Sequence, residues 1–344
     1  MIYKDIRKFL MIIILLITYK FFEKNVKNIK ISVYLPLYNM EKYIVNAIHS
    51  IKRQTLKDIE IIAVNDYSTD NTYNILKDFS TRDQRIKIIN NTKNSGLLYS
   101  RAMGIIHSSG NYLLNLDGDD EFNDIYDLEY LYNIAITYNA DIVSFSYMTK
   151  RNRKIKNLCN EFHKIIKQPK LFESSYQDDK FPKLDTLIWN KLIKKEIYLK
   201  AYNLFKNFIY YKKWNYYEDN IWSLLVHKVA NSKICVNKLI YIYNTNLNKA
   251  SLMKKRRNLL EFKNTIYKFE MTKKIFDDQK SFKYLYIQCI SLFKKINTSL
   301  NYKNNIKNDF ELKNRIINNL NGCIKDYYIS KFYQSIALNI INLN

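Results

Sequence analysis

Three carboxylates lie within four residues at Asp117-Gly118-Asp119-Asp120, directly after a short apolar run. Like charges this close together repel one another, so the segment is either a solvated turn or a site that a cation neutralises. Mg²⁺ and Mn²⁺ prefer oxygen ligands, often one or two carboxylates together with phosphate oxygens of a substrate. Both interpretations fit the four residues alone, and the surrounding chain decides between them.

The neighbouring residues predict that this acidic segment follows the carboxyl end of a strand. Leu97 to His107 suits a helix, residues 108–111 have turn chemistry, and Tyr112 to Leu116 is a short apolar strand. Four of the five glycines fall at positions 96, 104, 110 and 118, where the backbone needs freedom or close approach. Open α/β sheets bind ligands at the carboxyl ends of their strands, which favours the metal interpretation.

Strands and helices alternate through short loops over the first half of the chain. Strands are predicted at residues 31–35, closed by Pro36, and at residues 59–64, 86–89, 112–116 and 141–145. Helices are predicted at residues 41–54, 71–79, 97–107 and 123–138. This alternation predicts an α/β fold with a mostly parallel sheet and helices on both faces. Further helices are predicted at residues 187–198 and from residue 258 to the C-terminus.

Residues 9–22, FLMIIILLITYKFF, are apolar apart from Thr18, Tyr19 and Lys20. As a helix they would span roughly 21 Å, less than a hydrocarbon core of about 30 Å, although tilting and snorkelling extend that reach. No small-x-small cleavage site follows them. We expect an uncleaved N-terminal anchor and membrane association, with a cleaved signal or a buried helix as alternatives. Basic residues on both flanks leave the orientation and the compartment open.

The chain of 344 residues is long enough for one large domain or two smaller ones, and its 47% hydrophobic content suffices for a core. Its formal net charge is +24. The lysines are dispersed, so the charge is better explained by composition than by a polyanionic partner, and no specific nucleic-acid binding is expected. Cysteines at positions 159, 235, 289 and 323 form no CxxC pair, which argues against a zinc site and gives no indication of a disulfide framework.

Six blocks in order together resemble the family 2 glycosyltransferases of the GT-A (Rossmann-like) fold, which transfer sugar from a nucleotide-sugar donor. The resemblance covers residues 31–251, about two thirds of the chain. The blocks are ISVYLPLYNMEKYI, SIKRQTLKDIEIIAVNDYSTDNT, SGLLYSRAMGIIHSSGNYLLNLDGDD, LIWNKLIKKEIY, EDNIWSL and YIYNTNLNKAS. It implies a GT-A domain over residues 29–251, with a nucleotide-sugar half (29–122) and an acceptor half (123–251). Residues 1–28 would be anchor and linker, and residues 252–344 a helical region.

The resemblance assigns roles to the acidic residues. Asp117 matches the first Asp of the DxD motif, which faces the ribose or the metal, and Asp119 matches the second, a ligand of Mn²⁺ or Mg²⁺. Such a metal would neutralise the departing diphosphate. Asp219, in the pair Glu218-Asp219, matches the catalytic base that takes the proton of the attacking hydroxyl. Attack opposite the leaving group implies inversion at the anomeric carbon.

The donor residues follow from the same resemblance. Asp66 matches the residue that binds the nucleobase, with Pro36 and Tyr38 beside it at the mouth of the first strand. An aspartate accepts the imide N–H of uracil, so a UDP-sugar is the expected donor. Arg101 could contact phosphate, or it could pair with an acidic neighbour.

On the acceptor side the resemblance places Trp189 and Trp222. Their rings could stack on a sugar face or pack in the protein core, and the sequence does not separate these alternatives. The expected acceptor is a glycan or a lipid-linked molecule.

Three positions depart from the family pattern. Asn65 replaces the usual first Asp of a DD pair, Tyr67 replaces the usual Gly, and Ala102 replaces the usual Asn. None of them removes a metal-site aspartate or the base, so an active enzyme is the leading hypothesis. The alternative is a catalytically silent GT-A domain that binds glycan or nucleotide as a scaffold.

Overall fold

The computed structural model describes residues 28–151, 153–156, 162–168, 187–209 and 218–244, together with the single residues 11 and 171. The predictions for residues 9–22 and 252–344 lie outside the described residues. Within the described part, no helix combines the length and the apolar character needed to cross a membrane. Cys235 is disulfide-bonded, a pairing that the cysteine spacing did not indicate, and the other three cysteines lie outside the described residues.

In the described part of the chain, ten strands form one sheet and six helices lie around it. The strands are β1 (Ile31–Leu37), β2 (Ile59–Asn65), β3 (Ile86–Asn90), β4 (Tyr112–Asn115), β5 (Glu121–Phe122), β6 (Ile142–Thr149), β7 (Ile155–Lys156), β8 (Ile165–Lys167), β9 (Lys191–Lys194) and β10 (Ser232–Tyr243). The helices are α1 (Ile44–Lys52), α2 (Thr72–Arg82), α3 (Leu97–His107), α4 (Asp127–Thr137), α5 (Lys195–Ile209) and α6 (Glu218–Val229).

The strand order is β3-β2-β1-β4-β9-β6-β10-β5, with β7 beside β6 and β8 beside β10. The pairs β1–β2, β2–β3, β1–β4 and β6–β10 are parallel. The pairs β4–β9, β6–β9, β5–β10, β8–β10 and β6–β7 are antiparallel. The prediction of a mostly parallel sheet is therefore right for β1 to β4 and for the pair β6–β10, whereas the other five pairs are antiparallel. The fold is mixed α/β.

The order places the switch point of the sheet beside β1. From β1 the chain continues outward through β2 and β3, and then crosses to β4 on the opposite side of β1. Residues that follow β1, β2 and β4 consequently meet at one edge, at the carboxyl ends of these parallel strands. This is where open α/β sheets bind ligands.

Two predictions about local structure are wrong. Residues 187–198 do not form one helix, because β9 occupies Lys191–Lys194 and α5 begins only at Lys195. Pro36 does not close the first strand, since it is paired with Val64 inside β1. The pairing of β1 with β4 ends at Tyr34, so the missing N–H of Pro36 costs no bond to β4.

Buried side chains fill both faces of the sheet. Val33 and Leu35 point into one cluster with α1 and α4, and Tyr34, between them, points into another with α3, α5 and α6. Helix α3 lies close to β1 because Gly104 has no side chain: a Cβ there would come 2.6 Å from the Tyr34 ring. This confirms the prediction that glycine serves close approach in this stretch.

Candidate active site

The three aspartates of the acidic segment have different surroundings. Asp120 is fully buried and accepts hydrogen bonds from the Tyr241 hydroxyl (2.7 Å) and from the backbone N–H of Asn244 (2.7 Å). Asp117 is partly exposed and accepts a bond from the Asn115 side chain (2.8 Å). Asp119 is also partly exposed. Asp120 therefore anchors the segment to the end of β10, and the other two carboxyls remain at the edge of the sheet.

Burial and mutual repulsion raise the pKa values of two carboxyls in this segment. Burial, with the charge of Asp117, raises the pKa of Asp119 to about 7. Burial and the charges of Asp119 and Asp117 raise the pKa of Asp120 well above its usual range. Excess negative charge at a strand end is chemically suited to a hard divalent cation.

The donor set fits a metal that is shared with a substrate. In the described part of the chain, no group of three or more His, Cys, Asp or Glu side chains is arranged to hold a metal ion. Asp117 and Asp119 would supply two carboxylates, as in Mg²⁺ sites that use one or two carboxylates and complete their shell with water and phosphate.

Arg101 joins the acidic segment to helix α6. Its side chain is fully buried in α3, and its guanidinium lies 3.2 Å from Asp117 and 3.3 Å from Glu218. Burial alone would lower the pKa of Arg101, but the charges of Asp117 and Glu218 outweigh it and raise that pKa further. Arg101 thus pairs with acidic neighbours, the second of its two predicted roles. Its Nη1 atom has no hydrogen-bond partner among the described residues.

The pair Glu218-Asp219 begins α6, where the helix dipole favours negative charge. Glu218 is buried, whereas Asp219 is partly exposed. Burial and the charge of Asp219 raise the pKa of Glu218 to about 8, and Arg101 opposes this rise. The two neighbouring carboxyls therefore differ in environment, and only Asp219 is accessible to solvent to any extent.

Asp66 follows β2 directly and is buried. Its carboxylate accepts 2.8 Å bonds from the Asn91 side chain and from the backbone N–H groups of Ser95 and Gly96. Asp66 therefore fixes the loop that leads into α3, a role that the sequence did not indicate. A carboxylate has about four acceptor sites, so three bonds leave about one for a ligand.

The loops after β1 and β2 carry the remaining donor-side residues. Pro36 is buried within β1, whereas Tyr38 is 43% exposed at its mouth. Asn65 accepts a bond from the backbone N–H of Ser68 (3.1 Å), so it still organises the turn in which the family has Asp. Tyr67, which replaces the usual Gly, has a φ of 59°.

Both tryptophans assigned to the acceptor side lie in the core. Trp222 is fully buried and packs edge-on against Phe205, with ring centroids 4.8 Å apart. Trp189 is 5% exposed and stacks on Tyr243 at 5.4 Å. Of the two alternatives that the sequence left open, Trp222 takes the core position, because a ring with no exposed surface offers none to a ligand.

Sequence reasoning missed two tyrosines of β10 that face the site. The Tyr241 hydroxyl donates to Asp120 and accepts the backbone N–H of Asp117 (3.2 Å). Tyr243 is only partly buried, and burial together with the charges of Asp120, Asp119 and Asp117 raises its pKa beyond the usual range. The alternation in YIY was the available signal, since it predicts that both tyrosines share one face of the closing strand.

The fold and the site define an α/β domain whose acidic residues meet at the carboxyl ends of its parallel strands. The sequence model of glycosyl transferase family 2 matches residues 32–198. The match confirms the resemblance to that family over these residues.

Curated proteins of similar sequence are also named glycosyltransferases. Glycosyltransferase GlyA of Streptococcus pneumoniae is 30% identical over 220 residues, covering 62% of this chain and 30% of that protein. The uncharacterized glycosyltransferase EpsJ of Bacillus subtilis is 30% identical over 220 residues, covering 63% of this chain and 62% of EpsJ. The chain therefore spans less than two thirds of either relative.

Solved structures share the fold. Residues 1–349 of TarS from S. aureus, in a crystal structure with UDP-GlcNAc, superpose with a TM-score of 0.58 at 20% identity. The match covers 85% of this chain and 79% of that one. At this identity the likeness shows the fold alone.

Proposed function

We propose that the chain is a glycosyltransferase that moves a sugar from a nucleotide-sugar, most simply a UDP-sugar, to a hydroxyl group of an acceptor. The observation that carries the proposal is the buried contact from Asp117 through Arg101 to Glu218. It brings the strand-end carboxyls of the nucleotide half next to the carboxyl pair of α6. The match to the family model and the names of the relatives support the same activity.

The donor side of the proposal rests on Asp66. Its carboxylate keeps about one acceptor site after its three bonds within the chain, enough for one imide N–H of uracil. The UDP-GlcNAc complex of TarS, a protein of the same fold, supports a uridine nucleotide.

Mn²⁺ or Mg²⁺ completes the proposal, with Asp117 and Asp119 as its protein ligands. When bound, the cation would stabilise the charge that grows on the departing diphosphate. Asp119 is partly exposed, and its carboxyl already interacts unfavourably with Asp117, which a cation would relieve.

Asp219 is the proposed general base. A sugar hydroxyl is a poor nucleophile, so a carboxylate must take its proton during attack. Glu218 is buried and forms an ion pair with Arg101, whereas Asp219 is partly exposed at the first turn of α6. A base in the acceptor half, opposite the diphosphate, implies inversion. Glu218 then has a positioning role, because it ties the start of α6 to α3.

The acceptor and the location remain part of the proposal. A glycan or lipid-linked acceptor is expected, and residues 9–22 would hold the enzyme at a membrane. The domain division at residues 28, 122 and 251 likewise stays a prediction.

A donor-hydrolysis screen tests the function. The full chain is mixed with a panel of nucleotide-sugars, with Mn²⁺, with Mg²⁺ or with chelator, and released nucleotide is measured. We expect slow hydrolysis of one donor, lost with chelator and lowered at least about a hundredfold by Asp119→Ala or by Asp219→Asn.

Asp78→Asn is the control for the site variants, because Asp78 pairs with Arg82 on the exposed face of α2 and should leave the rate unchanged. Near-normal turnover in both site variants would contradict the site assignment. No release from any donor would instead favour the silent scaffold, and calorimetry then separates a scaffold that binds nucleotide from one that does not.

A further inference from the structure

Tyr67, directly after Asp66, combines two features that rarely occur together. Its backbone has a φ of 59°, in the left-handed region that disfavours residues with a Cβ. Its side chain is 56% exposed, so burial of the ring does not offset this conformation. Glycine would adopt the same turn without strain. A strained residue that contributes little to the core points to a function for its side chain.

The loops after β1 and β2 are held together around Tyr38 and Tyr67, which we call the tyrosine pair. On one side of the pair, the backbone N–H of Asp66 donates to the carbonyl of Leu37 (2.8 Å). On the other side, the backbone N–H of Asn39 donates to the Ser68 hydroxyl (3.1 Å). The two tyrosines therefore occupy matching positions in neighbouring loops.

Further hydrogen bonds fix this arrangement. The Asn39 side chain donates to the Thr69 hydroxyl (3.2 Å) and accepts the backbone N–H of Thr69 (2.9 Å). The backbone N–H of Met40 donates to Thr72 (2.7 Å), and that of Glu41 donates to Asp70 (3.1 Å). The loops are thus joined along their length, so the backbone that carries the tyrosine pair is fixed by bonds within the protein.

Both tyrosines are exposed, at 43% and 56%. Tyr38 directly follows β1 and Tyr67 directly follows Asp66, so both lie at the carboxyl edge of the sheet. A flat aromatic ligand whose edge reaches Asp66 would meet phenol rings from both loops. Nucleobases stack on aromatic side chains with little dependence on base identity. An edge contact to Asp66 and a face contact to tyrosine are therefore complementary.

We propose that the Tyr67 ring stacks on the nucleobase of the donor and that Tyr67 and Tyr38 together form the aromatic surface that binds this base. The inference rests on the proposed function and deepens it, because it assigns a base-binding role to a residue at which the family pattern has Gly. The ring supplies affinity for the base, and the phosphates are bound elsewhere.

Three variants of Tyr67 separate the ring from the backbone. Tyr67→Phe keeps the ring and the Cβ, Tyr67→Ala keeps only the Cβ, and Tyr67→Gly removes both. Tyr126→Ala is the matched control, because Tyr126 is a tyrosine of similar exposure, at 54%. It lies next to Ile125, whose carbonyl accepts a hydrogen bond from the backbone N–H of Thr55, before β2. Binding of UDP and of inorganic pyrophosphate to each full-length variant is measured by calorimetry.

We expect Tyr67→Ala and Tyr67→Gly to weaken UDP binding by about tenfold each, the scale of one lost base–aromatic stack. Tyr67→Phe and the control should bind UDP like the parent, and pyrophosphate binding should be equal throughout. Unchanged UDP affinity in both ring-deleted variants would overturn the inference and leave the proposed function standing. If the parent chain binds no UDP, the uridine donor itself is wrong and the inference fails with it.

Discussion

Arg101 is the residue whose removal should disturb the protein most. It is the guanidinium between Asp117 and Glu218, with its side chain 2% exposed. Arg101→Met keeps much of the volume but removes the cation, so three neighbouring carboxyls, those of Asp117, Glu218 and Asp219, lose their counter-charge. The variant should fold, with a clearly lower free energy of unfolding.

The expected loss follows from the distances. A pair of unit charges at 3.2 Å interacts with about 5 kcal/mol at an effective dielectric constant of about 20. Breaking a buried ion pair by removing one partner costs about 3–5 kcal/mol. Glu218 already has a raised pKa, so it can relieve part of the imbalance by binding a proton. We therefore expect a loss of about 3 kcal/mol at neutral pH.

Urea unfolding followed by tryptophan fluorescence measures this loss. Arg82→Met is the control, because the Arg82–Asp78 pair is exposed and should contribute less than about 0.5 kcal/mol. Adding Asp117→Asn to Arg101→Met should recover part of the lost stability, since it removes an uncompensated charge beside the former guanidinium. A cost below about 1 kcal/mol for Arg101→Met would refute the reasoning that the contact is a buried ion pair.

Two further predictions concern pH and packing. Because the pKa of Glu218 is raised to about 8, its contribution to stability is complete below the unfolded value near 4.5 and is lost as pH rises through 8. Glu218→Gln should remove a decline of about 1.4 kcal/mol per pH unit between pH 5 and 8, and equal slopes in both proteins would contradict this. Gly110→Ala should lower the midpoint of thermal unfolding by several degrees, because its Cβ would come 2.6 Å from the backbone nitrogen of Ser32. Asn111→Ala, an exposed neighbour, is the control, and an equal midpoint in the two variants would count against the close packing.

The sequence predicted correctly those helices and strands whose ends are marked by glycine or by turn residues. Helix α3 has the predicted bounds, because Gly96 precedes it and turn residues follow His107. Strand β9 was missed, because four residues are too few for periodicity to separate a strand from the helix that follows. The mixed sheet was missed for another reason: β9 inserts antiparallel between β4 and β6, and no local pattern reveals so distant a partner.

The same distinction holds in the candidate site, where motif residues could be predicted from the sequence and distant contacts could not. The sequence identified Asp117, Asp119 and the Glu218-Asp219 pair through their motifs. It did not show that Arg101 connects them, because Arg101 and Glu218 are 117 residues apart in the chain. The type of residue was also a poor guide for Trp222, since an aromatic ring suits a sugar site and a protein core equally well.

Helix α3 links the donor side of the proposed site to its catalytic side. Asp66 holds the loop that begins the helix, through the backbone of Ser95 and Gly96. One turn further along, Arg101 holds Asp117 and Glu218. A shift of α3 would therefore displace Asp66, the proposed nucleobase contact, together with the carboxyl pairs, so the geometry between them is set by one helix. Gly104 contributes to this arrangement, because it permits close packing of α3 on Tyr34 and so fixes the helix that both halves of the proposed site share.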